Sequence, residues 1–376
     1  MSFIFPEIDP KGRLEYSVVY SDRSVNHMAA VFGEAMRKLS TAFRQVYNAA
    51  ELIIIPGGGT FAMEAVARQF AQGQECLVLR NGWFSYRWTQ ILEQSNIAAS
   101  HRVLKAKRLQ PATEAPFVPV DVNEAVATIL AAKPQIVVAP HVETSSGMIL
   151  PDSYLQTIGA AVQKVGGLFI LDGVASGTVW VDMAALNIDI LLTAPQKGWS
   201  SSPGAGLILL GQRALVRLAE TQSSSFALDL RKWQQIMQAY DNGGHAYHAT
   251  LPTDTLMLLA KTVHEAEGLG FAWLTARQWE LGTRVRGLLS DKGFASVAGP
   301  GFEAPGVVVC FCSDDELKKG TKLSAEGLQA AAGVPLMCDE GPDFSTFRLG
   351  LFGLDKLTHT DRTVDLLAKA LGQSGY

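Results

Sequence analysis

The sequence predicts an α/β protein built on a mostly parallel sheet, followed by a smaller α+β domain. Short apolar runs alternate with stretches of helical spacing over residues 52–210, and each run ends in a polar or glycine-rich turn. From residue 253 this alternation gives way to a long helical stretch and then to isolated strands. We therefore expect an N-terminal arm over 1–24, a large domain over 25–266 and a small C-terminal domain over 267–376.

Apolar runs of four or five residues are predicted as buried strands of the large domain. They lie at 52–55, 76–79, 135–139, 167–171, 188–192 and 206–210. Helical spacing of apolar residues predicts helices over 26–49 and 61–70, and a proline-containing irregular excursion is predicted over 106–120. From residue 253 onward we expect a helical stretch over 253–290 with breaks at Gly268, Gly270 and Gly282, strands at 307–312 and 347–351, and a helix over 360–371.

Composition excludes several classes of function. The 376 residues carry 32 basic and 36 acidic side chains, a net charge of -4, and no basic block, which argues against a nucleic-acid partner. The four cysteines lack zinc-site spacing, so no metal is expected, and their scarcity favours a reducing compartment. The first residues lack a signal-peptide pattern, and no apolar run reaches 18 residues. A soluble cytoplasmic protein without membrane contact is expected.

Lys197 follows a buried apolar run and precedes a loop of small residues. Burial lowers the pKa of an amine, and a neutral lysine amine can attack a carbonyl to form a Schiff base. The alternative is a lysine that extends from the surface into water.

Two further turns follow predicted strands. The run Gly57-Gly58-Gly59-Thr60 lies between a strand and a helix, an arrangement that offers backbone N–H groups to a phosphate but that also joins strands to helices without any ligand. Asp172 ends another strand, where its carboxylate could either cap the following turn or hold a positive charge. Because ligands bind outside the carboxyl ends of parallel strands, one site could collect Gly58, Phe84, Thr144, Asp172 and Lys197.

Six motifs together resemble those of the class V, fold-type I pyridoxal-phosphate aminotransferases, in the branch of the alanine–glyoxylate and serine–pyruvate enzymes. The chain has GGGT-xx-ME where the family has SGT-xx-ME, and NGWFSYRW where it has NG-x-F-G-x-RW. HVETSSG is similar to the family's H-x-ETSTG, LDGVAS to its aspartate turn, APQKG to its S-Q-K lysine turn, and FRLGLFG to its FRIG-x-MG strand. The chain departs from the family by having Gly58 for Ser, Ser85 for Gly and Pro195 for Ser.

The resemblance implies pyridoxal 5′-phosphate as the cofactor and assigns a role to each motif. Lys197 would hold the cofactor as a Schiff base and move the substrate's proton, while Asp172 would keep the pyridine nitrogen protonated. Phe84 would stack on the ring, with Trp83 as the alternative, and Thr144 would bind the ring's phenolic oxygen. The remaining cofactor contacts would be Gly58, Gly59, Thr60, Val174 and Gln196.

Two further implications concern the partner subunit and the substrate. Tyr247 and Thr250 resemble the phosphate contact that the second subunit donates in the family, which implies a homodimer with shared active sites. Arg348 would clamp the substrate carboxylate through two parallel hydrogen bonds. The alternative for Arg348 is a structural salt bridge.

The function implied is transamination between a small amino acid, alanine or serine, and a 2-oxo acid such as glyoxylate or pyruvate. 2-Aminoethylphosphonate is the alternative donor, although no arginine-rich loop for a phosphonate is evident. Cysteine desulfurase is a further alternative, because Cys338 lies ten residues before Arg348; Gln196 in place of the desulfurases' His argues against it. A cofactor-holding protein without activity is another alternative. Such a protein would lack part of the set Lys197, Asp172 and Arg348, and this chain has all three.

Overall fold

The computed structural model describes residues 8–9, 12–94 and 96–376. Its strands, in chain order, are β1 Glu51–Gly57, β2 Glu75–Arg80, β3 Ser100–Lys105, β4 Lys107–Arg108, β5 Phe117–Val118, β6 Ile136–Pro140, β7 Val142–Glu143, β8 Met148–Ile149, β9 Leu168–Asp172, β10 Ile190–Thr193, β11 Gly204–Leu210, β12 Val307–Phe311, β13 Ala331–Ala332 and β14 Thr346–Gly350. Its helices are α1 Ala30–Tyr47, α2 Gly59–Phe70, α3 Trp83–Gln94, α4 Val122–Ala132, α5 Asp152–Lys164, α6 Gln212–Glu220, α7 Leu230–Asp241, α8 Thr253–Leu269, α9 Phe271–Asp291, α10 Asp315–Lys318, α11 Thr321–Ala325, α12 Leu354–Thr358 and α13 Thr360–Gln373.

A seven-stranded sheet forms the centre of the large domain, in the order β1-β11-β10-β9-β6-β2-β3. The five strands from β10 to β3 pair in parallel, whereas β11 runs antiparallel to both β10 and β1. Every strand except β11 therefore points its carboxyl end toward the same edge. The predicted mostly parallel α/β sheet is confirmed.

The central strands are apolar along their whole length because helices cover both faces of the sheet. All residues of β6, β9 and β10 are buried, and the core of the large domain includes the apolar faces of α1, α2 and α7. This packing leaves polar residues only at the strand ends, where the connecting turns meet one another.

A three-stranded antiparallel sheet, in the order β12-β14-β13, lies with α9, α12 and α13 in the C-terminal part. Its core is distinct from the core of the large sheet. Along α8, Leu259 and Val263 belong to the large core and Ala266 to the small one. The domain division at residue 266 stays a prediction, and part of the predicted arm lies outside the described residues.

Two sequence-based details were wrong. Only Gly270, with φ +90°, separates α8 from α9, while Gly268 and Gly282 lie inside helices. A Cβ at Gly282 would lie 2.5 Å from the carbonyl oxygen of Pro305, so this glycine permits a close helix contact rather than a break. Phe84 lies in the first turn of α3.

Across residues 8–9, 12–94 and 96–376, no helix combines the length and the apolar character needed to cross a membrane.

Candidate active site

The turns after four strands of the large sheet, and the β7–β8 hairpin that follows β6, meet at the shared carboxyl edge of this sheet. Asp172 is the last residue of β9, Lys197 follows β10, and α2 begins directly after β1. Thr144 lies in the turn between β7 and β8, and Phe84 lies in α3, which follows β2.

Lys197 is half-buried, and its amine lies near two aromatic rings. Its Nζ is 5.6 Å from the centroid of Phe84 and 5.7 Å from the centroid of Phe352. Burial lowers the pKa of Lys197, the positive charges of Arg348 and Arg87 lower it further, and the carboxylates of Asp172 and Glu143 partly oppose the shift. A larger fraction of the amine is therefore neutral and nucleophilic than for a lysine in water.

Asp172 is buried and held by two neutral donors. Its carboxylate accepts the backbone N–H of Val174 at 3.2 Å and the indole N–H of Trp88 at 3.3 Å. Burial raises the pKa of Asp172 to about 6, although these two hydrogen bonds and the charge of Lys197 act in the opposite direction. A cation placed beside this carboxylate would favour its ionised form.

The glycine turn brings the start of α2 against the Asp172 turn. A Cβ added to Gly59 would lie 2.7 Å from a methyl carbon of Val174, so only glycine permits this approach. At Gly58 an added Cβ would meet no atom within 4 Å, so the family's serine would fit there. No side chain caps α2 at Gly58, and the first N–H groups of a helix have no partner within it. Thr60, in the first turn, is exposed.

Glu143 joins the start of α3 to the turn that carries Thr144. Its fully buried carboxylate accepts the backbone N–H groups of Phe84, Ser85 and Ser145 and the hydroxyl groups of both serines, at 2.7–3.2 Å. A Cβ at Gly82 would lie 2.0 Å from the Ser145 hydroxyl oxygen, so the chain approaches this network closely. The network fixes Phe84 relative to Thr144, which is itself buried.

Arg348 extends from β14 of the small domain toward the same cluster. Its guanidinium carbon lies 5.8 Å from the centroid of Phe84, and its Nε donates to the carbonyl oxygen of Ala332 at 2.7 Å. Burial lowers the pKa of Arg348, and the carboxylate of Glu143 opposes this shift. The donors on the two terminal nitrogens make no hydrogen bond with any described residue.

Three predicted site residues lie apart from this cluster or at its margin. Tyr247 is exposed, and its hydroxyl pairs with that of Thr250 at 3.2 Å while its ring contacts His27. None of the hydrogen bonds or ring contacts among the described residues joins Tyr247 or Thr250 to the Lys197 cluster. Gln196, next to Lys197, is exposed.

Cys338 has the properties of a structural thiol. It is buried, its Sγ lies 3.4 Å from the carbonyl oxygen of Arg80, and burial raises its thiol pKa to about 12. Because the thiolate is the nucleophilic form, this environment opposes the desulfurase alternative.

Four residues of the site were missed from the sequence. Glu143, Trp88, Arg87 and Phe352 each contact a residue of the predicted set. Glu143 could have been found, because a charged residue within a buried strand-end motif must be satisfied by nearby donors. The others contact partners distant in sequence, which no local pattern indicates.

The donor set fits the cofactor that the fold implies. A buried carboxylate suits a cationic ring nitrogen, a lysine with a lowered pKa suits an aldehyde, and free helix N–H groups at a glycine turn suit a phosphate. The fold and this donor set define a fold-type I pyridoxal-phosphate enzyme. The family model of the class V aminotransferases matches residues 11–333, and the chain belongs to this family.

Curated relatives and solved structures agree with this assignment. The chain is 27% identical to a 2-aminoethylphosphonate–pyruvate transaminase of Salmonella schwarzengrund over 75% of this chain and 73% of that one. It is 28% identical to another from Paraburkholderia xenovorans, over 82% and 80%. The fold is similar to that of the alanine–glyoxylate aminotransferase of Nostoc sp., with a TM-score of 0.76 and 23% identity over 93% and 89% of the two chains. The protein is thus a pyridoxal-phosphate-dependent aminotransferase.

Proposed function

We propose that Lys197 is the covalent anchor of the cofactor and the carrier of the transferred proton. The observation that carries this proposal is the position of the Lys197 amine near the rings of Phe84 and Phe352, at the same strand edge as the buried Asp172, in a class V aminotransferase. When bound, the cofactor supplies an electron sink for the carbon that loses its proton. Asp172 holds the proton on the ring nitrogen, and Trp88 and the Val174 N–H orient its carboxylate.

The remaining residues of the cluster bind and orient. Phe84 and Val174 contact the ring, and Thr144 binds its phenolic oxygen. The phosphate is bound by the turn Gly58-Gly59-Thr60 and by Gln196, with Tyr247 and Thr250 contributed by the partner subunit. Arg348 positions the anionic group of the substrate, because its terminal N–H groups form a fork that matches a carboxylate.

The amino donor that we propose is a small amino acid, alanine or serine, with glyoxylate or pyruvate as the acceptor. The single arginine of the small domain that reaches the cluster suits substrates with one carboxylate. The rings of Phe84 and Phe352 near the Lys197 amine provide an apolar setting for a small substituent.

A second candidate donor is 2-aminoethylphosphonate, with pyruvate as the acceptor. The curated relatives named above carry this activity in their names, and Arg87 adds a second guanidinium near Phe84, 5.3 Å from its centroid. This donor would leave as an aldehyde rather than as an oxo acid.

A panel of donors and acceptors separates the two candidates. Alanine, serine and 2-aminoethylphosphonate would each be paired with pyruvate and glyoxylate, and the amino acid formed would be quantified. We expect the highest kcat/KM with alanine or serine and glyoxylate. Turnover of 2-aminoethylphosphonate with pyruvate, without turnover of alanine or serine with glyoxylate, would assign the second candidate instead.

Replacing Arg348 with lysine should weaken substrate binding more than the chemical step. Lysine keeps the charge but loses the two-pronged geometry, so we expect KM for alanine to rise by about ten- to a hundredfold with a smaller change in kcat. Steady-state kinetics measure both constants. Ethylamine, which has no carboxylate, serves as the control, and an equal loss with ethylamine would show that Arg348 is structural.

We also propose a homodimer with shared active sites. Tyr247 and Thr250 are exposed and lie apart from the Lys197 cluster of their own chain, which fits a contact to a second copy. We expect light scattering to give a dimer or a larger assembly for the cofactor-loaded protein. A fully active, cofactor-saturated monomer would contradict this expectation.

A cytoplasmic location is proposed on the chemistry of the thiols. All four cysteines are free and buried, which fits a reducing compartment.

A further inference from the structure

Arg87 is a charged residue of the site that the proposed reaction of alanine or serine does not use. It lies three residues after Phe84 on α3, so the two side chains share one face of the helix. Its Nη1 donates to the hydroxyl oxygen of Thr60 at 2.8 Å. Arg87 therefore bridges the start of α3 and the glycine turn that opens α2.

The charge of Arg87 is not neutralised by the protein. Within the described part of the chain, no carboxylate lies at ion-pair distance from its guanidinium, and its one hydrogen bond goes to a neutral hydroxyl. Two other half-buried arginines have an ion pair or several hydrogen bonds. Arg213 pairs with Asp189, and Arg286 donates to several backbone carbonyls. A guanidinium has five N–H donors, and a half-buried one with a single neutral partner is suited to an external anion.

The position of Arg87 restricts which anion it can bind. Its guanidinium carbon and the Lys197 amine lie 5.3 Å and 5.6 Å from the same Phe84 centroid, and its charge contributes to the lowered pKa of Lys197. Arg348, which reaches the cluster from β14, is the residue proposed above for the substrate carboxylate. Thr60 adds a hydroxyl group, and the first N–H groups of α2 add unpaired donors.

We propose that Arg87 and Thr60 bind a phosphoryl-type dianion, either the phosphate of the cofactor or the phosphonate of an amino donor. The planar fork of arginine matches the tetrahedral oxygens of either group, and a dianion neutralises both Arg87 and the start of α2. The inference rests on the proposed function for the donor, whereas binding of the cofactor phosphate requires only the family assignment.

The test compares ligands that differ only in the dianion. Arg87→Gln, Arg87→Lys and the exposed control Arg231→Gln would be prepared as full chains, freed of cofactor and titrated with pyridoxal 5′-phosphate or with pyridoxal. If the cofactor phosphate is the ligand, Arg87→Gln weakens binding of the phosphorylated form by about ten- to a hundredfold and leaves pyridoxal nearly unchanged. Arg87→Lys weakens binding of the phosphorylated form less, and Arg231→Gln binds both ligands with the affinity of the wild type.

The donor arm uses the cofactor-loaded variants. If a phosphonate is the ligand, Arg87→Gln raises KM for 2-aminoethylphosphonate by about tenfold or more, while KM for alanine stays within about twofold. Equal changes for pyridoxal 5′-phosphate and pyridoxal, together with equal changes for both donors, would overturn the proposal. If 2-aminoethylphosphonate is not a substrate, the proposed second donor fails, and the cofactor titrations alone decide the role of Arg87.

Discussion

Lys197→Ala should reduce transamination by about four orders of magnitude or more. The substitution removes both the nucleophile and the proton carrier, and a positioned acid–base group alone contributes about 10²- to 10⁴-fold. The cofactor should still bind without a covalent bond, because Asp172, Phe84 and the glycine turn are untouched. Absorbance titration would measure the remaining affinity, and coupled assays would measure turnover.

Borohydride reduction of the wild type provides the matching chemical test. Peptide mapping should place the reduced cofactor on the peptide that contains Lys197. Lys356 is the informative control, since its Nζ donates to the carbonyl oxygen of Phe352, whose ring lies near Lys197. Lys356→Ala should keep both labelling and activity, and labelling at Lys356 would refute the assignment.

The sequence was sufficient for the large sheet because of how parallel strands are buried. Strands covered on both faces read as unbroken apolar runs, and the first polar residue after each run marks its carboxyl end. Asp172 and Lys197 lie at or just beyond such ends. Their convergence then followed from topology alone.

The start of α3 was harder to predict, because its signal lies in tertiary contacts. Trp83, Phe84, Tyr86 and Trp88 lie within one short stretch, and aromatic residues are enriched in strands rather than marking a helix. In the structure, Glu143 accepts the N–H groups at positions 84 and 85 and so stabilises the first turn. That partner lies 58 or 59 residues away along the chain.

The contacts of Arg87 and of the small domain could not be predicted from the sequence for the same reason. Arg87 contacts Thr60, which lies 27 residues away along the chain, and Phe352 contacts Lys197 from the segment that follows β14. No local periodicity of the sequence indicates either contact. For Tyr247 and Thr250 the site prediction involves a second copy of the chain, so it depends on assembly as well as on folding.

Asp172→Asn should separate catalysis from cofactor binding. Asparagine keeps the size of the side chain, and its carbonyl oxygen can still accept the indole N–H of Trp88, but the negative charge is lost. The ring nitrogen then has no carboxylate to hold its proton, while Lys197 and the phosphate-binding turn are unchanged. We expect cofactor affinity to fall modestly and turnover to fall by about a hundredfold or more, as when other electrostatic stabilisers are removed.

The control for Asp172→Asn is a change that disturbs its neighbour without removing the charge. Trp88→Phe removes the 3.3 Å indole hydrogen bond but leaves the carboxylate, so it should lower turnover much less. Because burial raises the pKa of Asp172 to about 6 and the hydrogen bonds oppose that shift, Trp88→Phe should raise this pKa further. The acidic limb of the pH–rate profile should then move to higher pH. Full activity of Asp172→Asn would instead show that Asp172 caps the turn at Val174.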